Sequence, residues 1–281
     1  MNKIKLKNKL QAFLLEDIGD QDMTSEMIFP ENQFGEGTFT AKSEGILSGV
    51  EVIVETYRLL NSETVISLQK HDGDRLEKGD VIAVVRGNVR DLLSGERVIL
   101  NLIQRMSGIA TLTNEAVQRL NSNHTKVCDT RKTTPGLRMF EKYAVTCGGG
   151  YNHRFGLYDA VMIKDNHIAF CGSITEAVKK VRNQLGHMAK IEVETENGEQ
   201  VAEAVNAGAD VIMLDNQLPE QVRELVKLIP ENITSEASGN INLKNIAEYG
   251  SSNVDYISLG LLTHSVTALD ISLDVASSMN S

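Results

Sequence analysis

The sequence predicts an α/β protein in two parts, a short α+β unit followed by a longer alternation of strands and helices. Three observations carry this reading. The chain has 281 residues, enough for about two domains or one large barrel at roughly 150 residues per domain. The hydrophobic pattern changes character near residue 120. From there, strand-like runs begin near Lys126, Ala160, Lys190, Asp210, Asn232 and Asp255, with amphipathic helical patterns filling most of the gaps. Such alternation means parallel βα units, closing as a barrel or lying open as a doubly wound sheet.

Taken in order, residues 5–16 place Leu6, Leu10, Phe13 and Leu14 on one helical face. Residues 37–48 read as short strands around a turn, and Val50–Leu60 as a helix. Thr64–Lys70 and Val81–Arg86 read as strands joined by the Gly/Asp-rich turn 72–80. That turn resembles one found in biotinyl and lipoyl domains, but no modifiable Lys flanked by Met stands at its tip. Asp91–Leu120 is helical in pattern, with a break expected near Ser107-Gly108. No dinucleotide-type Gly-x-Gly-x-x-Gly follows the first strand, which argues against a nicotinamide-cofactor fold.

Composition narrows the function. With 28 Lys+Arg against 38 Asp+Glu the net charge is -10, which argues against a nucleic-acid or anionic-membrane surface. No apolar run approaches the ~18 residues of a transmembrane helix, and the basic N-terminus lacks a signal-peptide core. A cytoplasmic protein is expected. Cys128, Cys147 and Cys171 are too far apart for a Cys-x-x-Cys site and read as reduced thiols.

Within this acidic chain, residues 129–167 hold six Lys or Arg, two His and only four acids. They read Asp129-Thr130-Arg131-Lys132-Thr133-Thr134-Pro135-Gly136, then Gly148-Gly149-Gly150-Tyr151-Asn152-His153-Arg154, then Ile163-Lys164-Asp165-Asn166-His167. Cations beside glycines suit a pocket for a small polyanion: guanidinium grips carboxylate bidentately, and ammonium serves phosphate as a point charge. The predicted strands finish in Asp129/Arg131, Lys164, Glu194, Asp215, Glu236 and Gly260, as in a βα-barrel whose loops converge on one mouth. Glu192 and Glu194, two apart, share a strand face. Glu194 and Asp215 suit Mg²⁺ or sugar hydroxyls, with an ion pair to Lys164 as the competing explanation. Lys164 itself suits a ligand contact or a Schiff base. Ser238, Gly239 and Gly260 offer backbone N–H groups where barrels bind phosphate. His167 reads as structural, and Glu96-Arg97 alone reads as a helix-surface pair.

In their order and spacing these motifs resemble quinolinate phosphoribosyltransferase, the decarboxylating family of NAD biosynthesis, along nearly the whole chain. The resemblance adds Asp17–Asp22, Gly95-Glu96-Arg97, Asn101-Leu102, Ser107–Thr111 and Thr263-His264-Ser265. It implies a type II phosphoribosyltransferase fold: an N-terminal α/β sandwich over 1–108, an incomplete α/β barrel over 109–266, and a segment 267–281 returning to the first domain. It further implies a homodimer with a shared site, in which Arg97 of the partner chain reaches the substrate. By the resemblance Arg131, His153, Arg154 and Lys164 bind quinolinate. Lys132, Glu194 and Asp215 surround phosphoribosyl pyrophosphate and its Mg²⁺, and Ser238, Gly239 and Gly260 hold its 5′-phosphate. Two positions depart from many members: Thr146 stands where Arg is common, and Asn240 where some carry Gly. A nicotinate-using transferase, a Lys164 aldolase and a non-catalytic anion-binding protein are the competing expectations.

Overall fold

A computed structural model describes residues 1–277. The chain opens with helix α1 (Lys3–Ile18), which buries Leu6, Leu10 and Leu14; Asn2 caps it by accepting the Lys5 N–H. Helix α2 (Met23–Ile28) follows, then β1 (Phe34–Ala41), β2 (Gly45–Ile46), α3 (Val50–Leu60), β3 (Val65–Leu68), β4 (Arg75–Leu76) and β5 (Val81–Asn88). Helix α4 then runs unbroken over Val89–Leu120, which corrects the break expected at Ser107-Gly108. Gly108 is not a helix breaker here. A Cβ at that position would run into the carbonyl oxygen of Thr267, so the residue is small because another backbone crosses it.

The parallel units follow: β6 (Lys126–Cys128), α5 (Arg138–Cys147), β7 (Val161–Ile163), α6 (Asp165–Cys171), α7 (Ile174–Arg182), β8 (Ile191–Thr195), α8 (Gly198–Ala207), β9 (Val211–Asp215), α9 (Pro219–Val226), β10 (Thr234–Ser238), α10 (Ile246–Gly250), β11 (Tyr256–Ser258) and α11 (Leu261–His264). The last element is β12 (Ile271–Ser277). Side chains dictate where the helices start. Ser173 caps α7 and Asn197 caps α8, each accepting an N–H three residues on, and Pro219 opens α9.

The chain divides into two compact units. The first comprises residues 1–112 and 139–149 with the described residues from 265 on; the second comprises 113–138 and 150–264. In the first, an antiparallel sheet of order β12-β1-β5-β3 is formed by strands far apart in sequence. Every second residue of β1 is buried, ending in Phe39 and Ala41, as a half-covered strand requires. Residues 139–149, inside the stretch expected to be barrel, belong to this unit for a physical reason. Glu141 bonds Arg105, and the Tyr143 hydroxyl donates to Asp72 at 2.7 Å. Asp72 also accepts the N–H groups of Gly49 and Val50 at 2.7 and 3.0 Å. The Gly/Asp-rich turn therefore serves as a cap for α3.

The second unit is a six-stranded sheet of order β6-β11-β10-β9-β8-β7, parallel throughout. Among the described residues β6 and β7 are its edges, so strand pairing does not close the barrel. The six strands begin at or within two residues of the positions expected from the sequence.

Candidate active site

The parallel register sets the side chains in layers. Glu192 pairs with Val211 and Met162, Glu194 with Met213, and Ser238 with Asp215. With a period of two, Glu192 and Glu194 project to the same face, one layer apart. Lys164, Glu194, Asp215, Ser238 and Gly239 all line one cavity of about 500 Å³, together with Arg131, Lys132, His153 and Arg154. Gly260 adjoins it, since a Cβ there would lie 2.9 Å from Cδ of Lys132. Every predicted site residue of this unit is thus brought together. Arg97 belongs to the first unit, where it is exposed and lies 3.8 Å from Glu96.

One wall is built from the segment after β6. Asp129 is fully buried and accepts the backbone N–H of His153 at 2.9 Å and the Asn152 side-chain amide at 2.7 Å, tying the two cationic motifs together. Arg138 braces the turn carrying Arg131: it donates to Thr133 Oγ1 at 2.9 Å and to the Arg131 carbonyl at 3.3 Å. The Lys132 carbonyl accepts from Thr263 Oγ1 at 2.6 Å. Of the six cations in the window, four therefore line the cavity. Arg138 holds their loop, and Lys142 is buried in the first unit.

Among the described residues Arg131, Lys132 and Arg154 form no ion pair. Partial burial lowers the pKa of Arg154, and the like charge of Arg131 lowers it further. An arginine does not deprotonate under such pressure, so the two guanidiniums leave unsatisfied positive field in the cavity. Lys164 differs. Its ammonium donates to Glu194 Oε2 at 2.6 Å, and the Lys164 N–H donates to Nδ1 of His167, which makes His167 an end cap of α6. The competing ion pair is thus present, yet both partners still line the cavity. Burial pushes the Asp215 carboxyl up, and the charge of Glu194 adds to that, against Lys164 and Lys132. Two hard carboxylate oxygens that gain from a nearby cation form a donor set that fits Mg²⁺.

At the ends of β9 and β10 the backbone turns left-handed three times, at Asn216 (φ 55°), Gly239 (φ 82°) and Asn240 (φ 55°). Asn216 accepts from the Asn240 side chain at 3.0 Å, and its N–H donates to the Ser238 carbonyl at 2.9 Å. Curled backbone of this kind makes a concave bed for an anion. Sequence reasoning missed Asn216, whose signal was an asparagine directly after a strand end. It also named Glu192 and Glu236 without placing them in the site. Both are buried, and neither lines the cavity.

A parallel α/β sheet with unpaired cations, paired acids and a glycine loop gathered at its strand ends defines a barrel-type enzyme site for a small polyanionic substrate. Comparison with known proteins makes this particular. Residues 22–107 match the family model for the N-terminal domain of quinolinate phosphoribosyl transferase, and residues 109–274 the model for its C-terminal domain. The chain belongs to the quinolinate phosphoribosyltransferase family. It is 59% identical over 281 residues to a probable nicotinate-nucleotide pyrophosphorylase [carboxylating] of Bacillus subtilis, covering 100% of this chain and 97% of that one. It is 39% identical to a mitochondrial quinolinate phosphoribosyltransferase [decarboxylating] of Nicotiana glauca, over 96% of this chain and 82% of the relative. The crystal structure of NadC from Streptococcus pyogenes superposes with a TM-score of 0.95 at 42% identity, covering 98% of each chain. The two-part α/β fold with an incomplete barrel agrees with that likeness.

Proposed function

We propose that the chain transfers a phosphoribosyl group from phosphoribosyl pyrophosphate to quinolinate and releases pyrophosphate and carbon dioxide, leaving nicotinate mononucleotide. The observation that carries this reading is the unpaired cationic wall of Arg131, Lys132 and Arg154 facing Glu194 and Asp215 across one cavity. A pyridine with two adjacent carboxylates supplies the counter-charge that Arg131 and Arg154 lack. A single carboxylate, as in nicotinate, would leave more of it uncompensated.

In this reading Arg131 and Arg154 grip the dicarboxylate, with His153 in the wall beside them and Arg97 of the partner chain closing the site. The ring nitrogen is thereby turned toward the anomeric carbon. Ser238, Gly239 and Gly260 hold the 5′-phosphate, while Lys132 and Lys164 face the departing pyrophosphate. Glu194 and Asp215 hold the ribose and would hold Mg²⁺. When bound, that ion would neutralise charge on the pyrophosphate. Positioning and preorganised charge supply the acceleration without a covalent intermediate. Lys164, engaged by Glu194 at 2.6 Å, acts as a charge rather than as a free amine, which speaks against a Schiff base. Once the ring nitrogen is quaternised, its cation stabilises the carbanion left when the adjacent carboxylate departs.

The test is incubation with quinolinate, phosphoribosyl pyrophosphate and Mg²⁺, following mononucleotide and carbon dioxide together. Mononucleotide from nicotinate without carbon dioxide would favour the non-decarboxylating alternative, and tight binding without turnover a non-catalytic role. The homodimer is part of the same proposal. Mixed dimers of Arg97→Ala and Arg131→Ala chains should recover activity that neither parent has, and failure to recover would remove the shared site. A cytoplasmic location fits an enzyme in which, among the described residues, no helix is long and apolar enough to cross a membrane.

A further inference from the structure

Behind the cavity lining, His153 meets two buried acids that the proposed chemistry does not use. Nε2 of His153 lies 3.1 Å from Glu192 on β8 and 3.6 Å from Glu236 on β10. His153 lines the cavity, and the two glutamates do not. The other ring nitrogen is also committed, because the backbone N–H of Arg154 donates to Nδ1 at 2.8 Å. A nitrogen that accepts carries a lone pair, so the ring proton must reside on Nε2 and point at the acids. His153 is therefore the neutral Nε2–H tautomer, braced from both sides. The same logic excludes a metal ion from this three-residue cluster, since a ligating Nε2 would need the lone pair it has given up to its proton.

We infer that Glu192 and Glu236 are positioning residues for quinolinate binding: they fix the His153 ring in one tautomer and, through Nδ1, the backbone from which Arg154 reaches the substrate. The inference rests on the function proposed above and adds a pH response to it. Glu236 is enclosed, and its Oε1 has no hydrogen-bond partner among the described residues. The groups facing it are Glu192 from β8, Asp129 from the end of β6, His153 from the loop after α5 and Ser258 from β11. Burial, then the charge of Glu192, raise its pKa from 4.5 to about 7; the His153 and Ser258 contributions oppose this, and Asp129 adds to it. Below that pH Glu236 is a neutral acid, and the ring faces one carboxylate. Above it two carboxylates face the single Nε2–H, and a second negative charge stands beneath the site for the dicarboxylate. That charge opposes the substrate's own carboxylates and leaves the ring proton where it is. Binding should suffer, while the chemical step on bound substrate should not.

Two measurements on the intact protein test this. Long-range ¹H–¹⁵N spectra at about pH 6 should show His153 with a proton on Nε2 and a bare Nδ1. A proton on Nδ1 at that pH, or stoichiometric Zn²⁺ or Mn²⁺ held by the purified protein and lost in Glu236→Gln, would overturn the inference. In steady-state kinetics the KM for quinolinate should rise about tenfold between roughly pH 6 and pH 8 with kcat steady, the effect of about one pKa unit of interaction. Glu236→Gln, which cannot ionise, should flatten that rise. A wild-type slope retained in Glu236→Gln overturns the positioning role and leaves the proposed activity standing. Absence of wild-type turnover on quinolinate strikes the activity itself, and the spectra still decide the tautomer.

Discussion

Arg105 with Glu141 in the first unit, and His153 with Glu192 and Glu236 in the second, both place ionisable groups away from water. They are balanced in opposite ways. Arg105 donates to one oxygen of Glu141 through two nitrogens, at 2.7 and 2.9 Å, so that the buried carboxylate meets a positive charge. In the second cluster a neutral ring serves two acids, and Oε1 of Glu236, 3.6 Å from the ring, accepts no hydrogen bond among the described residues. The first arrangement is what a fold does with charge that it must bury. The second carries a standing cost, which is expected where a site holds groups ready for a ligand. The cationic wall above it extends the same imbalance, with Arg131 and Arg154 repelling one another until an anion arrives.

Four changes would break or sharpen this contrast. The largest effect is expected from Arg131→Ala, which removes a charged, bidentate-capable contact. It should cost roughly 2–5 kcal/mol in kcat/KM and leave thermal unfolding nearly unchanged. Turnover close to wild type would remove Arg131 from the site. Arg105→Met tests the other side, since it takes the arginine away from the buried carboxylate of Glu141 and should lower stability by about 3 kcal/mol. Urea unfolding measures that loss, and a variant as stable as the parent would mean that Glu141 does not depend on this partner. Gly239→Ala places a Cβ against Asn216 Oδ1 at a backbone φ of 82°. The strain, about 1–3 kcal/mol, should appear as a higher KM for phosphoribosyl pyrophosphate with quinolinate affinity kept. Equal effects on both substrates would argue against a separate phosphate bed.

The gentlest effect is a slope with pH. Glu236 keeps its proton in the folded state up to about 7, whereas the unfolded chain loses it near 4.5. Below the lower value both states are protonated and the group contributes nothing. Between the two values the unfolded state is progressively favoured, and above about 7 the full penalty remains. Wild-type stability should therefore fall across that interval more steeply than that of Glu236→Gln. Parallel stability curves for the two proteins would show that Glu236 ionises normally.

Much of this was legible before any coordinates. The strand positions followed from periodicity, and Lys164, Glu194 and Asp215 announced the cavity because charges at strand ends have few other places to go. Glu236 shows the limit of such reading. It looked like another strand-end charge, but β10 runs on to Ser238 and Glu236 is buried, and both the strand's end and its burial are set by long-range pairing. The window 129–167 likewise named the cations without separating them by task. Arg138 and Lys142 turned out to serve the loop and the first unit, since burial and partners are not written in residue type. Gly108 misled because a glycine inside a helix reads as a breaker, whereas its cause lies in a backbone about 160 residues further along. Asn240, by contrast, adopts the left-handed backbone that asparagine tolerates.

The pairing of β1 with β12 has a consequence for how the protein is made. Thr38 is registered with Asp274, and Ala41 with Ile271. The sheet formed by some of the earliest residues to leave a ribosome thus lacks an edge until residues 271–277 have been synthesised. Contacts of such long range are slow to form. During synthesis the exposed edge of β1 is a surface onto which another nascent chain could add a strand. Yield in a cell should therefore respond to translation speed and chaperone supply, even in variants whose finished fold is as stable as the parent's.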